Sequence, residues 1–122
     1  IILRHQVLSE QSGHDAKDDD GNTFEYKVSK NHSWNFQDIS ENVLEKYKND
    51  KAIILAVVNK QNLVVTNIYS ADSAKVVQRL KEKLEVKRKK RLAEKGEKLR
   101  RSQVSLSKGD LTIVGAVEIE VN

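Results

Sequence analysis

A chain of 122 residues with 38% hydrophobic and 33% charged residues suits one soluble, polar domain with a single modest core. It has no Cys, which excludes disulfides, a thiolate zinc site and a cysteine nucleophile, and no run of about 18 apolar residues, which excludes a transmembrane helix. The net charge of +4 hides an asymmetry. Residues 79–101 carry twelve Lys or Arg against four Glu, a net of +8, which leaves −4 for the rest. A basic segment attached to an acidic remainder suits a protein that grips a polyanion.

In chain order, residues 1–8 mix apolar and polar side chains, as in a short strand or the end of a helix. They lack the long apolar core of a signal peptide. The chain does not begin with Met, and it is read as a single domain or a fragment of one. Ser12 and Gly13 break the first segment. Residues 15–17 are a candidate short strand and 18–21 a turn. Residues 22–29 alternate, with Phe24, Tyr26 and Val28 on one face and Thr23, Glu25 and Lys27 on the other. The charged pair is expected on the face away from the core.

After a loop at 30–33, Asn35 or Asp38 is expected to cap a helix over 36–49. Phe36, Ile39, Val43, Leu44 and Tyr47 fall near the spacing of one buried helical face. Residues 51–59 hold the unbroken run Ala-Ile-Ile-Leu-Ala-Val-Val, which reads as a central strand covered on both sides. A second β-branched strand follows over 63–69. Ser70 or Asp72 then caps a helix from near Ser73, with Val76, Val77, Leu80 and Leu84 as its apolar stripe. Beyond Leu84 the stripe thins, so 87–101 is expected as a basic helix extension or mobile arm, weakened at Gly96. Two further strands are expected at 104–107 and 111–121. The order predicts an α/β fold with a central mixed β-sheet flanked by helices.

Side chains two apart on a strand share a face, so Glu25 and Lys27 point the same way. A turn at Asp20-Gly21 would fold the segment carrying Asp15 back beside them. Two carboxylates and an ammonium would then converge where a hard divalent cation and a water molecule could be held beside a phosphate. The plain alternative is a Glu and a Lys that only solvate an exposed strand face. Asp18, Asp19 and Asp20 could supply the first carboxylate in place of Asp15, although acids before Gly more often build a turn.

Gly13-His14-Asp15, then Glu25-Tyr26-Lys27, then a helix and a hydrophobic strand, resembles the PD-(D/E)xK nuclease superfamily, and type II restriction endonucleases in particular. The resemblance spans residues 12–69. It implies a restriction-endonuclease-like core and magnesium held by Asp15 and Glu25. It also implies a water positioned or activated by Lys27, double-stranded DNA as substrate, and a homodimer. His14 stands where the motif's name has Pro, and the family's leading helix is absent or reduced to residues 1–10, which leaves Glu10 a weak candidate for an extra ligand.

His5, His14 and His32 show no zinc-type spacing. Trp34 and Gln37, just after the charged strand, are candidate contacts to nucleic acid. Lys87, Arg88, Lys89, Lys90 and Arg91, followed by Lys98, Arg100 and Arg101, suit a phosphate-tracking surface. Ser102, Gln103, Ser105 and Ser107 could read base edges, with Gln103 the best suited to adenine. There is no glycine-rich nucleotide loop and no nucleophile elbow. The first expectation is therefore a magnesium-dependent DNA endonuclease in the cytoplasm. The rival is a non-catalytic nucleic-acid-binding module using the basic helix, with Glu25 and Lys27 as a surface ion pair. A third reading is an assembly protein that uses residues 73–101 as an interaction helix.

Overall fold

The computed structural model describes residues 6–7, 16–95 and 103–119. Its first strands are β1 (Gln6–Val7), β2 (Ala16–Lys17) and β3 (Thr23–Ser29), a meander of antiparallel neighbours. Strand β4 (Ser33–Phe36) and helix α1 (Glu41–Asn49) then cross over to β5 (Ala52–Val58), which lies parallel to β3. A parallel neighbour requires such a crossover, whereas antiparallel neighbours can be joined by a tight turn. Strand β6 (Val65–Asp72) returns antiparallel to β5 and leads into helix α2 (Ser73–Lys95). Strand β7 (Val104–Ser107), helix α3 (Asp110–Ile113) and strand β8 (Val117–Ile119) follow.

The main sheet has the order β1-β2-β3-β5-β6-β8. Strands β3, β5, β6 and β8 form its mixed four-stranded body, while β1 and β2 contribute two residues each. A separate two-stranded sheet pairs β4 with β7. Together with the three helices of the described residues this is an α/β fold, and none of these helices is long and apolar enough to cross a membrane.

The run 52–57 is buried throughout, as its unbroken hydrophobicity predicts. Ile53, Leu55 and Val57 join the larger core with Leu44 and Tyr47 of α1, Leu80 and Leu84 of α2, and Trp34 and Phe36 of β4. Ala52, Ile54 and Ala56 face the other way and pack with Phe24 and Ile68. The helical side chains of the larger core all lie on one side of the sheet, so the described helices cover one face rather than flanking both.

This layering corrects the expected placement of the charged strand. Glu25 is registered beside Ile53 and Lys27 beside Leu55. Both therefore sit on the face of the larger core. Alternation separates the two faces of a strand but does not say which one receives the helices.

Helix α1 also begins later than its apolar spacing predicts. Trp34 and Phe36 are buried between exposed Ser33 and Asn35, a period of two that pairs with β7. Asp38 then takes a left-handed backbone, φ 53°, and turns the chain. Ser40 is the cap, its hydroxyl accepting from the Val43 N–H at 3.2 Å. Helix α2 starts where expected, with the Asp72 carboxylate accepting from the Lys75 N–H at 3.0 Å. The strand expected over 111–121 is divided. Its first part is α3, a single turn closed by Val114 N–H on the Asp110 carbonyl at 3.0 Å, followed by Gly115 at φ 63°. Among its described residues, only Val117–Ile119 joins the sheet, beside β6.

Candidate active site

Glu25 and Lys27 lie in the middle of β3, held straight by the parallel ladder to β5. The Lys27 ammonium is 3.9 Å from Glu25 Oε1, and the two side chains are 26% and 13% exposed. Water therefore reaches the pair only in part. Lys27 Nζ also stands 5.1 Å from the centroid of the Phe36 ring. Phe36 is fully buried and is itself braced edge-on by Tyr47, with centroids 5.9 Å apart. The ring's negative face helps hold the ammonium in place.

The turn before β3 is built by Asp18. Its Oδ1 accepts from the Asp20 and Asn22 N–H groups, both at 3.0 Å, and Asn22 Nδ2 donates to Oδ2 at 3.1 Å. Gly21, at φ 84°, closes the turn by donating to the Asp18 carbonyl at 3.2 Å. Desolvation acts to raise the Asp18 pKa, but the donors from Asn22 and Asp20 and the Lys51 charge win, and the carboxyl sits below its ordinary value. Asp18 is thus a turn residue. Asp15 lies outside the described residues. Among the described residues no three His, Asp or Glu side chains gather as a metal site.

Trp34 does not reach a surface where nucleic acid could lie. It is 1% exposed, and its indole N–H donates to the Ala56 carbonyl of β5 at 2.9 Å. Its ring meets His32 and Tyr69 edge-on, each at 6.0 Å between centroids. Period-two alternation in β4 sends this side chain into the core. Gln37, one residue beyond β4, is exposed.

The basic residues of α2 divide into two groups. Arg79, Lys83 and Lys87 are four residues apart and share one flank of the helix. Arg79 Nε donates to Asp110 Oδ1 at 2.8 Å and Lys83 Nζ to Oδ2 at 2.5 Å. Lys87 Nζ donates to the Gln103 carbonyl at 2.6 Å. These cations hold the segment 103–110 against α2. Arg88, Lys89 and Lys90 are exposed, and Arg91 is half-buried. Lys89 comes within 3.9 Å of Glu85. Arg100 and Arg101 lie outside the described residues.

Asp110 is a residue that chain order alone did not single out. It is buried, and Ser107 adds two donors to Oδ2, the N–H at 2.7 Å and the hydroxyl at 3.1 Å. Burial acts to raise its pKa, but the bonds from Lys83, Ser107 and Arg79 outweigh it and hold the carboxyl far below the usual range. The 79, 83, 87 spacing on α2 is the signal that points to it, since three cations on one helical flank call for an anion or carbonyls opposite. On the other side of the main sheet, burial pushes the Tyr26 phenol up to about 12.

These arrangements can orient a proton donor beside a carboxylate at Lys27 and Glu25, and can brace a long basic helix through Asp110. Compared with known proteins, the chain matches no family model and no curated protein.

Proposed function

We propose that this chain is a magnesium-dependent endonuclease that hydrolyses phosphodiester bonds in double-stranded DNA. In this reading it has a restriction-endonuclease-like core and is a PD-(D/E)xK enzyme or part of one. The observation that carries the reading is the half-buried Glu25–Lys27 pair on a central strand, next to an antiparallel strand that enters through a tight acidic turn. Glu25 offers the hard carboxylate oxygen that magnesium prefers. The second carboxylate is assigned to Asp15, one residue before β2, whose Ala16 is registered beside Phe24. Magnesium bound there would lower the pKa of a coordinated water and offset charge developing on the phosphate.

Lys27 has a separate role, because an ammonium has three donors and no lone pair for a metal. It donates to the attacking water and aligns it with phosphorus, while the Phe36 ring fixes where the ammonium sits. The enzyme would act in the cytoplasm and, as the resemblance implies, as a homodimer.

The test is incubation with mixed plasmid DNA in magnesium and in EDTA. Discrete fragments in magnesium alone are expected. Intact plasmid under both conditions would remove the assignment. A 3.9 Å ion pair resting on an aromatic ring also fits a purely structural role, which favours the non-catalytic DNA-binding module as the second reading. That reading predicts DNA binding with no cleavage.

A further inference from the structure

Helix α2 is longer than its core requires. Its buried apolar positions, Val76, Val77, Leu80 and Leu84, all fall in the first half. A 23-residue helix is roughly 34 Å long, so the second half extends well past the last of them. Charge also changes along the helix. Glu82 and Glu85 lie exposed near its middle, and the following stretch 86–93 holds five basic residues before Glu94.

At 100° per residue, Arg88 and Lys90 project about 160° apart, on opposite flanks of the helix. Between them, on the side turned away from the core, lie Val86, Lys89 and Leu92. Val86 and Leu92 are 65% and 55% exposed, and neither packs in either core cluster. Arg88 and Lys90 have no ion-pair partner among the described residues, unlike Arg79 and Lys83. The outer side of residues 86–92 is thus an apolar strip with one lysine, which Glu85 approaches at 3.9 Å from the preceding turn, edged by a cation on each flank.

We infer that the second half of α2 enters the major groove of duplex DNA, with Arg88 and Lys90 on the two opposing phosphate backbones and Val86, Lys89 and Leu92 toward the base edges. The dimensions agree, because a helix with side chains is about 10–12 Å across and the major groove is about 12 Å wide. The groove also suits the composition. Its walls are anionic, and its floor carries thymine methyl groups that take apolar contacts. Glu82 would repel the backbone, so the first half stays outside, while Glu85 is offset by Lys89 at 3.9 Å. Bonds from Arg79, Lys83 and Lys87 to Asp110 and the segment before it brace the helix along the flank that carries Lys90, in the turns before it. This inference rests on the nucleic-acid part of the reading above and not on catalysis.

The test is fluorescence anisotropy of the full chain on a labelled duplex of about 20 base pairs, in EDTA and over a salt series. Each phosphate that a side chain ceases to neutralise flattens the log–log salt slope by about 0.9. Arg88→Gln/Lys90→Gln should therefore flatten it by roughly 1.8. Lys46→Gln/Lys48→Gln removes the same charge from exposed positions on α1 and should leave the slope unchanged. A duplex carrying glucosyl groups on cytosine C5, which fill the major groove, should bind at least tenfold more weakly. A duplex saturated with a minor-groove ligand should bind as before. The parent slope in Arg88→Gln/Lys90→Gln, equal flattening in both double variants, or undiminished binding to the glucosylated duplex would each overturn the inference. So would binding to phosphatidylserine vesicles but not to duplex. Because the measurement excludes magnesium, the two proposals fail separately. Groove binding without plasmid cleavage sinks only the nuclease. Normal plasmid cleavage with an unchanged slope sinks only the groove-binding helix.

Discussion

The Lys27 ammonium rests 5.1 Å from the centre of the buried Phe36 ring, so one residue of the small sheet positions a charged residue of the large one. Lys27→Ala should cut turnover by orders of magnitude and leave magnesium binding nearly intact. Phe36→Leu should keep the charge, loosen its placement and lower turnover by a smaller factor, of about 2 to 30, if the cation–ring contact contributes about 0.5–2 kcal/mol. Single-turnover rates on plasmid, with calorimetry of magnesium binding, check both. Loss of magnesium binding in Lys27→Ala would show that the ammonium is not simply a donor to water.

Glu25→Ala should abolish magnesium-dependent cleavage while duplex binding in EDTA survives. If Glu25 holds magnesium as proposed, its removal forfeits both charge stabilisation and activation of the nucleophile, several kcal/mol of barrier in all. A Glu25→Ala protein that cuts at the parent rate would take Glu25 out of the site.

Asp110→Asn should destabilise the fold by about 3 kcal/mol, the low end for a broken buried pair, because Arg79 and Lys83 still reach water in part. The acid limb of stability should change as well. The Asp110 pKa is depressed in the folded chain, so its contribution is complete above the unfolded value of about 4 and is lost as pH falls toward the folded one. Urea melts from pH 7 down to pH 2 should show a shallower acid decline in Asp110→Asn than in the parent. Parallel declines would mean that the clamp contributes little.

Tyr26 should ionise near pH 12, since burial favours its neutral form. The sign is opposite to that of Asp110. The stability tied to the raised pKa is complete below the unfolded value of about 10 and is lost as pH rises through 12. Ultraviolet titration of the parent against Tyr26→Phe isolates this step. A Tyr26 phenol ionising near 10 would show that water reaches it.

Much of this fold could be read along the chain because the deciding contacts are local. The period of two in β3, the apolar run of β5 and the Asp72 cap of α2 need only their own neighbours. The misreadings all involve distant partners. Trp34 and Phe36 form a strand because Val104 and Leu106 pair with them, some seventy residues on. The turn of α3 exists around a carboxylate whose cations lie on α2. Lys87 resembles its basic neighbours until the Gln103 carbonyl is placed beside it. At the candidate site, the shared face of Glu25 and Lys27 was legible from spacing. Their depth was not, because it depends on which side of the sheet the crossover through α1 takes.

Trp34 is the chain's single tryptophan, and its indole bonds to Ala56 across the junction of the two sheets. The protein therefore carries a built-in optical probe at that seam. Its emission should shift to the red, as water reaches the indole, when the β4–β7 pair separates from the main sheet, even while the helices stay folded. Comparing that signal with the helical circular dichroism during unfolding shows whether the small sheet detaches first or the whole domain melts as one unit.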